Sequence, residues 1–126
     1  MDFPAELKYT KSHEWVRVEG DTATVGVTDH AQSEMGDIVY VELPEAGRVL
    51  QQEESFGVVE SVKTVSDLYA PVAGEVIETN GSLAAQSELL NTDPYGDGWM
   101  VKIKMGDPGQ VEALMGAEAY QASLDD

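Results

Sequence analysis

The β-branched residues of this chain come in short bursts, each closed by turn-formers, and no apolar run is long. Residues 22–28 show the pattern most clearly. Ala23, Val25 and Val27 alternate with Thr22, Thr24 and Gly26, the period-two signature of a half-buried strand. Gly20-Asp21 joins that run to residues 13–19 as a hairpin. Residues 38–43 form another run, stopped by Pro44, which cannot donate to a ladder. Residues 99–105 make a last strand. Segments this short bury their apolar faces by packing sheet on sheet, so the expected fold is mainly β, a small barrel or sandwich.

Helices belong at the margins of that fold. Residues 28–36 read as one short helix: Thr28 caps it, Asp29 suits its first turn, and Gly36 suits the residue past its end. In the tail, Asp107 caps and Pro108 fits a first turn, with Val111, Leu114 and Met115 at helical spacing. Gly116 breaks that segment, and residues 117–124 read as a second short helix with Tyr120 and Leu124 on one face. Gly81-Ser82 and residues 91–98 are loops by composition. Pro44-Glu45-Ala46-Gly47 recurs in kind as Pro71-Val72-Ala73-Gly74, which points to a quasi-symmetric pair of β motifs. No linker divides the chain, so residues 1–126 are expected to form a single domain.

Charge and composition exclude several function classes. Seven basic residues against 24 acidic ones give a formal charge of −17, which repels nucleic-acid phosphate and anionic lipid. The same charge serves either solubility or attraction to basic partner surfaces. With no cysteine, disulfides, thiolate metal sites and a cysteine nucleophile are ruled out. The first residues carry neither a secretory signal nor an Arg-rich presequence, and no stretch has the apolar length of a membrane span. The expected setting is the cytoplasm, or an organelle if the chain is a processed mitochondrial form.

A catalytic constellation is hard to find. His13-Glu14-Trp15 lacks the second histidine of the zinc pattern, and His30 is distant in sequence. Packing or capping is the commoner role for either ring. Gly96-Asp97-Gly98 stops short of a dinucleotide fingerprint and precedes a strand rather than a helix. The chain is therefore expected not to be an enzyme.

What stands out is Lys63. Between Arg48 and Lys102 it is the only basic residue, among nine acidic ones. β-prone residues flank it, 56–59 before and 65–72 after, so it falls at a hairpin tip. A lysine there is either a solubilising surface residue or an amine presented for modification. An amine that carries a cofactor as an amide must be exposed, on a rigid turn and free of competing lysines.

Glu60-Ser61-Val62-Lys63 followed by Ser66-Asp67-Leu68-Tyr69-Ala70-Pro71-Val72-Ala73-Gly74-Glu75-Val76 resembles the H protein of the glycine cleavage system. Four more blocks resemble the same family in the same order: Tyr9-Thr10-Lys11-Ser12-His13-Glu14-Trp15-Val16; Val25-Gly26-Val27-Thr28-Asp29-His30-Ala31-Gln32 with Met35-Gly36-Asp37-Ile38-Val39; Leu43-Pro44-Glu45-Ala46-Gly47; and Asn91-Thr92-Asp93-Pro94-Tyr95-Gly96-Asp97-Gly98-Trp99-Met100. Thr64-Val65 is bulkier than the small residues that often follow the family's lysine.

The resemblance implies a lipoyl-domain-like β-barrel sandwich with short flanking helices, including a helical C-terminal segment. It implies covalently bound lipoic acid on Lys63. It implies a shuttle that passes an aminomethyl group between a PLP-dependent glycine decarboxylase, an aminomethyltransferase and dihydrolipoamide dehydrogenase, after loading by a lipoate-attaching enzyme. By the same resemblance Ser12, Glu14 and Asp67 are candidates to line a cleft that shelters the cargo's ammonium, and His30 is a further one. The competing readings are a relay that donates lipoate to other lipoyl domains and an acidic adaptor whose Lys63 stays unmodified.

Overall fold

The computed structural model describes residues 2–124. In chain order its strands are β1 (Lys8–Tyr9), β2 (Glu14–Glu19), β3 (Thr22–Val27), β4 (Ile38–Glu42), β5 (Val49–Leu50), β6 (Ser55–Ser61), β7 (Val65–Tyr69), β8 (Gly74–Thr79) and β9 (Val101–Met105). Three α-helices accompany them: α1 (Asp29–Met35), α2 (Leu89–Thr92) and α3 (Ala117–Leu124). One sheet has six strands in the order β1-β2-β3-β9-β8-β5, and the other has three in the order β4-β6-β7. Every pairing is antiparallel. β5 and β8, which follow the two Pro-x-x-Gly turns, pair with each other.

The two sheets pack face to face. Val16, Val25, Val76, Val101 and Ile103 point inward from the larger one and meet Val41, Phe56, Val59 and Leu68 from the smaller. Alternation along each strand makes this possible, since one face is apolar while its opposite carries Thr, Glu and Lys. A second cluster sits at one end, built from Leu7, Tyr9, Trp15 and Tyr120. The Tyr9 and Tyr120 rings stack with centroids 4.8 Å apart, and Phe3 meets Tyr120 edge-on at 5.3 Å. Eight residues are too few for a helix to stand alone in water, so α3 depends on this anchor.

α1 forms where its caps place it. The Thr28 side chain accepts a hydrogen bond from the Ala31 N–H, and the Gly36 N–H returns to the Gln32 carbonyl. Gly36 has φ 78° and ψ −156°, a region essentially closed to other residues, and it turns the chain from α1 into β4.

Three expectations are refined. Residues 108–113 form a 3-10 helix rather than an α-helix: the Leu114 N–H bonds the Val111 carbonyl three residues back, and residues three apart share a face as readily as residues four apart. Asn91 and Thr92 belong to α2, and residues 81–84 to another 3-10 turn, instead of open loop. The last strand starts at Val101, because the carbonyl of Trp99 accepts from the Asn80 side chain ahead of the ladder.

Candidate functional site

β6 and β7 form a hairpin whose ladder runs up to Glu60 opposite Val65, leaving residues 62–64 as its tip. All three tip residues are exposed, and the backbone beneath them is held on two sides. Ser61 Oγ accepts from the N–H groups of Lys63 (3.3 Å) and Thr64 (3.1 Å). The Ser61 N–H donates to the Thr64 carbonyl at 2.8 Å, and the Val62 N–H reaches the Asp37 carbonyl at 3.0 Å. Lys63 thus stands on an ordered turn, and among the described residues it makes no ion pair. Its Cε passes over Gly36, 3.6 Å from where a Cβ on that glycine would sit.

At the other end of β7 lies a cleft of about 730 Å³. Residues 9–12 and Glu14 form one wall, residues 69–71 with Gln52 and Glu53 a second, and residues 113–115 close the end. Glu14 is 1% exposed and takes three hydrogen bonds. The hydroxyls of Thr10 and Ser12 both donate to Oε1 at 2.6 Å, and the Tyr69 N–H donates to Oε2 at 3.3 Å. β7 is an edge strand, so that outward N–H has no ladder partner, and Glu14 links the two sheets by accepting it. Burial holds the Glu14 carboxyl above its ordinary value, against the opposing pull of the Ser12 and Thr10 hydroxyls and the Tyr69 N–H. One acceptor position on Oε2 is left uncommitted among the described residues.

The structure brings Ser12 and Glu14 together in this cleft and does not bring the other two candidates there. Asp67 is exposed on β7 opposite Val58. It stands between the Lys63 tip and Tyr69, and shares the outer face with Tyr69 because residues two apart on a strand point the same way. His30 lies on α1, its ring 4.9 Å from that of His13 and its Nε2 3.8 Å from Glu34. His13 Nδ1 is 2.8 Å from the Tyr120 hydroxyl, which is also 2.8 Å from Thr28 Oγ1. Burial, then His30, lowers the His13 pKa. This pair belongs to the packing between α1 and α3, and no group of three potential metal ligands occurs among the described residues.

Sequence reasoning did not single out Thr10 or Tyr69. Their convergence on Glu14 needs the tight turn at residues 10–14, in which the Thr10 N–H bonds the Glu14 carbonyl and His13 adopts φ 72°. Nothing in the residue pattern signals a left-handed histidine. From Val65, just past the tip, to Tyr69 the strand covers about 13 Å, at roughly 3.3 Å per residue.

Comparison with known proteins gives a consistent result. A family model described as "Glycine cleavage H-protein" matches residues 7–126. A glycine cleavage system H protein of Chlorobium phaeovibrioides is 59% identical over 122 residues, covering 95% of each chain. Its counterpart in Symbiobacterium thermophilum is 56% identical over 119 residues, 94% of this chain and 93% of the relative. The crystal structure of a glycine cleavage system H protein from Mycobacterium marinum superposes with a TM-score of 0.90 at 37% identity, covering 98% of this chain and all of the other.

Proposed function

The chain belongs to the glycine cleavage H-protein family, lipoyl carriers that shuttle intermediates between the proteins of that system, and we propose that it does so through Lys63. The observation that carries the assignment is the hairpin tip, where Ser61 and Asp37 hold the backbone while the lysine amine stays exposed. Such an amine suits the amide that joins lipoic acid to a protein. When bound, the lipoyl group supplies a disulfide that accepts cargo and a dithiol that must be reoxidised.

The chain's own residues present, receive and shield. The Lys63 stem passes over Gly36, and β7 offers a track from the tip toward the cleft. Asp67 flanks that track. Buried Glu14 and the more exposed Ser12 are the polar groups of the cleft that would receive a cationic amine. Lys63, Ser12, Glu14 and Asp67 are thus the residues of the proposed site, and His30 is not among them. We read the chain as a carrier rather than a catalyst, because Glu14 is already engaged by three donors of its own protein. The partners that this reading requires are a lipoate-attaching enzyme, the PLP-dependent glycine decarboxylase, the aminomethyltransferase and dihydrolipoamide dehydrogenase. The relatives are bacterial, which supports a cytoplasmic setting.

Incubation with a lipoate ligase, followed by intact mass and peptide mapping, tests the assignment. The expected product carries one lipoyl group, on Lys63, and Lys63→Ala takes none. Lipoate on Lys8, Lys11, Lys102 or Lys104 would overturn it.

A further inference from the structure

The loop block that begins at Asn91 has no part in the site described so far. Asn91 lies on α2 and touches neither Lys63 nor the cleft. Its side chain nevertheless has all its main hydrogen-bonding positions committed to one short stretch of chain. Oδ1 accepts from the Ile38 N–H at 2.9 Å, and Nδ2 donates to the Gly36 carbonyl at 2.9 Å and to Gln32 Oε1 at 3.0 Å. Ser87, just before α2, adds a bond from its hydroxyl to the Ile38 carbonyl at 3.2 Å. Residues 36–38 are therefore held from behind on both sides of Asp37.

That stretch is also what the hairpin tip hangs from. The Asp37 carbonyl accepts the Val62 N–H, and the bare Cα face of Gly36 lies under the Lys63 stem. Gly36 occupies a backbone region open to glycine alone, and Asn91 is the group that grips its carbonyl.

We propose that Asn91 is a positioning residue for the Lys63 arm: it clamps residues 36–38, and that clamped turn fixes the height and direction of the tip. The proposal rests on Lys63 being the carrier residue. A tip that is pre-positioned gives up less freedom when an enzyme engages it, so loosening it should weaken productive engagement without altering the chemistry of the arm.

Asn91→Asp keeps the acceptor for the Ile38 N–H and removes both donors. Ser87→Ala is the milder second variant, which keeps the test alive should Asn91→Asp fail to fold. Gln32→Ala is the control, since it deletes one partner of Asn91 and leaves its bonds to Gly36 and Ile38 in place. Amide hydrogen exchange on the unlipoylated chains reads the tip directly. In Asn91→Asp the Val62 N–H should exchange about tenfold faster after correction for the change at the core amide of Val59, with a smaller rise in Ser87→Ala and none in Gln32→Ala. The lipoylated proteins are then used as substrates of glycine decarboxylase. KM for the carrier should rise severalfold in Asn91→Asp while kcat changes less than twofold.

Unchanged Val62 exchange in every folded variant, or an equal rise in Gln32→Ala, would overturn the proposal. So would an unchanged KM in Asn91→Asp, or in Ser87→Ala if the first variant does not fold. If Lys63 is not the carrier residue, the parent protein fails to lipoylate there while the exchange result stands, so the two failures are separable.

Discussion

Glu14→Gln keeps the shape of a buried side chain and removes its charge. If the amide oxygen stays with the Thr10 and Ser12 hydroxyls, the new NH2 group points at the Tyr69 N–H, and that backbone donor loses its acceptor. An unsatisfied buried donor costs about 1–3 kcal/mol, and the low end applies because the adjoining cleft admits water. Loss of the charge works the other way, since burial is the largest influence on this carboxyl and disfavours its ionised form. The net expectation near neutral pH is a loss of about 1 kcal/mol, a fall in Tm of roughly 4 °C for a domain of this size. The pH dependence is the sharper signature. The folded-state pKa lies above the ordinary 4.5, so between the two values the folded protein binds more protons than the unfolded chain. The contribution of Glu14 is therefore fully present below 4.5 and is lost as pH rises through the folded value. Glutamine does not titrate. Urea unfolding of parent and variant across this range should show a stability gap that is widest at the acid end and narrows as pH rises. A gap that widens with pH would mean that the hydrogen bonds outweigh burial, and would refute the reasoning.

Lys63→Ala should abolish glycine decarboxylation through the carrier while changing unfolding free energy by no more than about 0.5 kcal/mol, because the side chain is exposed and makes no ion pair among the described residues; thermal melts alongside a reconstituted assay check both halves. Gly26→Ala should destabilise by about 1–3 kcal/mol, since the new Cβ falls 2.7 Å from the Trp15 indole, whose N–H is itself fixed on the Pro94 carbonyl; chemical denaturation reads this. Association with the decarboxylase should slow as salt is raised, because the charge of −17 steers encounter only within a Debye length, about 8 Å at physiological ionic strength and about 3 Å at 1 M; a flat response of association rate to salt would assign the acidity to solubility.

The elements legible in the sequence are those whose cause is local. The alternation at residues 22–28 becomes β3, with Ala23, Val25 and Val27 in the core, though Thr24 and Gly26 on its other face are buried too and the strand is not half-buried as expected; Thr28 caps α1 with its own hydroxyl. The hairpin at Lys63 is legible for the same reason, since β-prone residues on both sides of a short tip pair with their neighbours in sequence. The cleft is not local. It needs residues near 10, 52, 70 and 114 to meet, and no periodicity in any of those segments reports on the others. Asp67 illustrates the limit. The resemblance made it a cleft candidate, yet β7 runs from Val65 at the tip to Tyr69 at the cleft, and Asp67 stands along the way. The 3-10 geometry at residues 108–113 was equally hidden, because Val111 and Leu114 satisfy both helical spacings.

The bridge between Tyr9 and Met115, in which each residue's N–H bonds the other's carbonyl, ties one wall of the cleft to its end. These residues are separated by nearly the whole chain, whereas the strands beneath Lys63 are neighbours in sequence. During vectorial synthesis the hairpin can close while the ribosome is still adding residues, but the cleft must wait until residue 115 has emerged. The tip that carries Lys63 is thus paired before the pocket proposed to shelter a cargo exists. A nascent chain halted shortly after β9 would carry the Lys63 tip with no closed cleft behind it.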